Sequence, residues 1–172
     1  MFKKYFCFAV FTVILTLSAF TETLAIACFQ NEEIDDKCRN VTGKFEDLLF
    51  EPFFESGFIV TSLPSADLEP QKEIKLGEIE KFFEEPSDYI LICRMQYGKD
   101  LVFNKILDRK IPDWKTLKVS LVNFSTGKEI YTKIFDMTKF KEIDPEKKCE
   151  TVSVQVAKEA IETINKDKRR NK

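Results

Sequence analysis

With 172 residues, 44% of them hydrophobic and 33% charged, the chain fits one globular domain and is too apolar to be disordered. Its 27 basic and 29 acidic residues leave a net charge of −2, so there is no basic field for nucleic acid. The chain has no histidine, which excludes Ser-His-Asp and Cys-His catalysis, histidine-ligated metals and imidazole acid–base chemistry.

The chain opens on Lys3 and Lys4, followed by an apolar run from Tyr5 to Phe20, the pattern of an export signal. Two ends for that signal stay open, one near residue 20 and one after Ala27. The second follows the A-x-A site Ala25-Ile26-Ala27 and would make Cys28 the first mature residue and a candidate lipidation site, although Ala25 stands where a lipobox carries Leu. The apolar run Leu24 to Phe29 also reads as a buried strand, and losing a central strand would strip the core, which favours the earlier end. The expected organisation is a signal over 1–20 (alternatively 1–27), one domain over 23–165 and a frayed basic tail over 166–172.

Residues 30–43 read as a polar loop. A helix follows from Lys44 to Ser56, kinked or restarted at Pro52 and ended by Gly57 as a structural turn residue. Phe58 to Leu63 is a strand closed by Pro64, and Glu73 to Glu85 a second helix stopped by Pro86. Asp88 to Tyr97 is the clearest strand, apolar on both faces in its first half. Its residues Tyr89 to Ile92 are expected to be nearly fully buried, with Val119 and Leu121. Leu101 to Leu107 reads as a return strand. Trp114 to Phe124 and Glu129 to Phe135 are strands joined by a hairpin at Ser125 to Lys128, where Gly127 supplies the positive φ. Asp144 and Pro145 open a last helix whose inward stripe includes Cys149, Val152, Val156, Ala160, Ile161 and Ile164. The fold class is therefore mixed α/β: a four- to five-stranded, partly parallel sheet ending in an antiparallel meander, packed by about three helices.

Chemistry-bearing motifs are few. Cys7 lies in the signal, and Cys28, Cys38, Cys93 and Cys149 remain as candidate disulfide partners in an oxidising compartment. Cys38 is the favoured member because it falls in the polar loop; the alternative is that these are small core residues. No C-x-x-C occurs, so zinc and thioredoxin-like readings fail. Ser125-Thr126-Gly127-Lys128 lacks the spacing and the following helix of a phosphate loop. Glu32, Glu33, Asp35 and Asp36 lack the spacing of a calcium loop, and Glu84 and Glu85 read as surface charge. Asn40 and Asn123 head glycosylation sequons. No catalytic residue, metal or cofactor is expected.

The motif order resembles the periplasmic family that includes the TolB N-terminal domain, the penicillin-binding-protein activator LpoB and the CsgG-like lipoproteins. The similar segments are LAIACFQNEE at 24–33, FFESGFIVTS at 53–62, PSDYILIC at 86–93 and VSLVNFSTGKEIYTKIF at 119–135, followed by the final amphipathic helix. Cys93 or a neighbour stands where that family carries Gly. The resemblance implies a non-enzymatic periplasmic or outer-envelope module that binds a protein partner, and transfers no functional residue; the apolar N-terminus is the candidate for membrane association. A secreted effector is the alternative, and an enzyme the remote one.

Overall fold

The computed structural model describes residues 22–31, 35–68 and 87–170, with 63–68 as backbone only. Strand β1 (Thr23–Asn31) lies between β2 (Ile59–Leu68) and β3 (Tyr89–Tyr97) and pairs parallel with both. Strand β6 (Trp114–Asn123) then pairs antiparallel with β3 and with β7 (Lys128–Asp136), giving the order β2-β1-β3-β6-β7. The mixed five-stranded sheet and its terminal meander match the sequence expectation. Two α-helices are described, α1 (Asp36–Glu55) and α2 (Pro145–Arg170), both packed on one face. The helix expected at 73–85 and the export signal at 1–20 lie outside the described residues.

The central position of β1 follows from its composition. A parallel strand covered on both faces has no solvent side to alternate towards, so it reads as a continuous apolar run. Every residue from Leu24 to Cys28 is at most 1% exposed. Leu24, Ile26 and Cys28 join the helix-side core beside Tyr89, Leu91 and Cys93 of β3.

Helix α1 starts eight residues before the expected Lys44, which corrects the loop reading of 30–43. Asp35 caps it, its side chain accepting from the Lys37 N–H at 2.8 Å. The segment is polar on average, but Cys38, Val41, Phe45, Leu49 and Phe53 recur at helical spacing and are buried. Thr42 on the same stripe is satisfied by donating to the Cys38 carbonyl and by a 3.0 Å hydrogen bond with the Tyr97 hydroxyl. Pro52 neither stops nor restarts the helix, which runs on to Glu55. It ends where expected. Gly57 at φ +85° donates to the Phe54 carbonyl, and the Phe58 N–H reaches the Phe53 carbonyl at 3.1 Å. The Phe53 and Phe58 rings meet edge to face across that turn, completing a Schellman cap.

Strand β2 does not close at Pro64. It runs to Leu68, with a register irregularity opposite Ala27 to Phe29. The strand is at the sheet edge, where a missing N–H breaks no inner ladder. The return strand expected over 101–107 is instead a small separate ribbon, β4 (Val102–Asn104) paired with β5 (Arg109–Ile111). At the β6–β7 turn Gly127 has φ +63°, and the Asn123 side chain accepts from Ser125 and the Thr126 N–H.

In α2 the Asp144 carboxylate accepts from the Glu146 N–H, and Cys149, Val152, Val156, Ala160 and Ile164 are fully buried. Ile92 is only half-buried, against expectation, whereas Ile161, also half-buried, packs against the core as expected. Ile161 flanks the stripe, and Ile92 alternates to the sheet face away from the helices. The basic tail is not frayed up to Arg170. Lys168 pairs with Glu22, just ahead of β1, and its ammonium lies 5.5 Å from the centroid of the Phe58 ring.

Candidate functional site

Three segments distant in sequence enclose a cleft of about 310 Å³: the first turns of α1, strand β5 with its exit to Pro112, and the start of α2. Lys37, Asn40 and Lys44 face it from α1 because they lie off the buried Cys38–Val41–Phe45 stripe. Arg109 and Lys110 come from β5, Asp144 and Glu146 from α2. Arg109 donates to Asp144 at 3.1 Å and Lys44 to Glu146 at 2.9 Å. The hydrogen bond to Glu146 raises the Lys44 pKa above its ordinary value. These two pairs tie the ribbon and α1 to the cap of α2. Lys37 and Lys110 have no carboxylate at ion-pair distance among the described residues, so the cleft keeps a cationic excess. Its lining offers hydrogen-bond donors and cations, and the four described thiols are elsewhere.

Cys28, Cys38, Cys93 and Cys149 are all free and buried, so the disulfide framework is absent from this structure. Cys38 is in α1, not in a loop. Cys28 and Cys93 stand opposite each other on β1 and β3. Their mutual hydrogen bond, with burial, pushes the Cys28 thiol well above its ordinary value. Burial pushes Cys38 up to about 11 and Cys149 to about 12. As the unfolded chain ionises near the ordinary 9.0, it releases protons that the folded thiols retain. Stability contributed by these thiols is therefore full below about pH 9 and is lost as pH rises towards 12. Burial shifts Tyr97 in the same direction, and the effects add. The denaturant midpoint should fall continuously above pH 9, and the native protein should resist a thiol reagent at neutral pH until denaturant is added. A midpoint unchanged up to pH 11, or fast native labelling, would contradict this assignment.

A second polar cluster joins β7 to α2. Tyr131 and Lys133 donate to Glu159 at 2.5 and 2.6 Å, and Gln155 adds 2.9 Å. Burial opposes the charge on Glu159, but these donors outweigh it and hold its carboxyl below the ordinary range. With every partner satisfied, the cluster acts as a tie between strand and helix.

The remaining motifs sort plainly. Asp35 is a helix cap and Asp36 pairs with Arg39, so neither serves a calcium loop; Glu32, Glu33, Glu84 and Glu85 lie outside the described residues. Among the described residues no group of three or more His, Cys, Asp or Glu side chains could hold a metal ion. The Asn40 sequon is exposed at the cleft. Asn123 is buried, with its amide donating to Asp167 at 2.7 Å, so the second sequon is unavailable in the folded chain.

A family model described as "Uncharacterised protein" matches residues 23–165. No curated protein matches the chain. Among solved structures, protein XCC0632 of Xanthomonas campestris, from the DUF330 family, is 14% identical with a TM-score of 0.50, over 87% of this chain and 89% of that one. Lipoprotein GNA1162 of Neisseria meningitidis is 13% identical with a TM-score of 0.45, over 84% and 99%. At such identity the likeness to the Xanthomonas protein is one of fold.

Proposed function

The chain belongs to the family described as "Uncharacterised protein", and from that premise we propose that it is an exported, non-enzymatic, envelope-associated module that binds another envelope protein through the cationic cleft. The observation that carries the reading is the cleft itself. A chain of net charge −2 gathers Lys37, Lys44, Arg109 and Lys110 around one concavity and fixes them on the start of α1 and on the ribbon. Such a surface selects an acidic segment of the partner and disfavours a basic one. The apolar leader at 5–20 supports export, and the resemblance to the TolB, LpoB and CsgG-like modules supports a binding role in the envelope.

A photo-crosslinking amino acid at Asn40, introduced in cells of the source organism, should trap one envelope protein at a site rich in Asp and Glu. Lys37→Glu should lower that yield by about tenfold, equal to about 1.4 kcal/mol of binding. No trapped protein, or a product indifferent to Lys37→Glu, would overturn the reading. So would turnover of a small molecule in the cleft that Lys37→Glu abolishes.

A further inference from the structure

We infer that the β4–β5 ribbon is a membrane-contacting element that inserts its apolar tip into an anionic phospholipid bilayer. The ribbon stands apart from the main sheet, and three of its large apolar side chains are in solvent: Val102 at 47%, Phe103 at 55% and Ile106 at 76% exposed. Burying such groups is favourable, so their joint exposure on one projection calls for a partner. The tip is held in shape. Asn104 accepts from the Ile106 and Leu107 N–H groups at 2.9 and 3.0 Å, and Asp108 closes the turn at φ +48°. The Arg109–Asp144 pair fastens the ribbon to the start of α2. A tip already ordered loses little conformational freedom on insertion.

Charge selects the occupant. Residues 99–110 hold Lys99, Lys105, Arg109 and Lys110 against Asp100 and Asp108, a local excess of two positive charges, or one once Asp144 is set against Arg109, on a chain of net −2. Apolar side chains at the tip with lysines around them suit the headgroup boundary of an anionic leaflet: the rings and branched chains enter the acyl region, and the ammonium groups meet phosphate. A second copy of this chain fits worse, because a two-fold contact through the ribbons would set cation against cation. A protein partner at the ribbon alone also fits worse, since two three-residue strands offer far less than the roughly 800 Å² per partner of a stable interface. None of the described helices is long and apolar enough to cross a membrane; the contact proposed is surface insertion by the ribbon.

The test places an indole at the tip of the full chain by Phe103→Trp; the native Trp114 is buried and serves as the folding control in the near-ultraviolet. Vesicles of equimolar phosphatidylglycerol and acyl-brominated phosphatidylcholine should quench the introduced indole and shift its emission to the blue. Brominated phosphatidylcholine alone should leave it unquenched. Ile106→Ser and Lys105→Glu, added singly to the reporter variant, should each weaken partitioning into the anionic vesicles by about tenfold. Vesicle binding with an unquenched indole would place the contact away from the ribbon and overturn the inference. Equal quenching on neutral vesicles would overturn it, as would an indole buried without lipid in a dimer seen by sedimentation. None of these variants touches Lys37 or Asn40, so this result and the crosslinking result fail separately.

Discussion

A chain beginning at Cys28 is expected to show no cooperative unfolding transition, whereas one beginning at Glu22 should melt as a single domain. Removing Thr23 to Ala27 deletes the segment that pairs with Ile59 to Leu63 on one side and with Tyr89 to Ile92 on the other. The parallel half of the sheet then has a gap at its centre, and orphaned backbone groups face each other across it. Leu24 and Ile26 are fully buried, and losing each costs about 2–5 kcal/mol by the measure of core truncations. Together they come to about 4–10 kcal/mol, a large share of the roughly 5–15 kcal/mol that holds an ordinary domain, before the lost ladder is counted. The same geometry bears on lipidation. Cys28 is 1% exposed between two strands, so acylation there and burial in the sheet are alternatives. Thermal circular dichroism of the two chains decides the matter; equal melting temperatures would restore the site after Ala27.

The second large effect is expected at Phe45. Its ring is fully buried on α1 and meets Trp114 edge to face, with centroids 6.0 Å apart. Tyr97 packs on the other partner of that contact, its centroid 6.1 Å from Trp114. Phe45→Ala would open a cavity where α1 sits on the mouths of β3 and β6, and should cost about 3–5 kcal/mol. Phe54, nine residues on in the same helix, is 74% exposed, and Phe54→Ala should stay within about 0.5 kcal/mol. Denaturant melts of the pair measure the difference directly. Equal losses would mean that α1 is not docked by this face.

How far the sequence spoke depended on whether a signal was local. Strands β3 and β6 were legible because Tyr89 to Cys93 and Leu117 to Leu121 carry their period within one element. So were Gly57 and Gly127, where a single backbone conformation demands glycine. Asp144 and Pro145 announced α2 by the chemistry of a helix start. The first turns of α1 were not legible, since Asp35 to Thr42 is polar in composition and only Cys38 and Val41 betray the stripe. Pro64 misled because its tolerance in β2 depends on the strand being at an edge, which is a property of the whole sheet. Ile92 misled because an apolar run does not state which face the helices will cover. The cleft was invisible for a related reason: Lys37, Arg109 and Asp144 are ordinary surface charges until topology brings them together.

The salt bridge between Lys168 and Glu22 fixes where the chain enters the domain. It brings the start of β1 to the last turn of α2, while Asp144 and the ribbon it holds lie at the other end of the same helix. At 1.5 Å per residue those ends are roughly 36 Å apart. Whatever precedes residue 22 therefore leaves the domain at one pole, and Ile106 projects near the other. A molecule held at both poles is either laid flat along one surface or strung between two, with a single helix as the gauge of the gap.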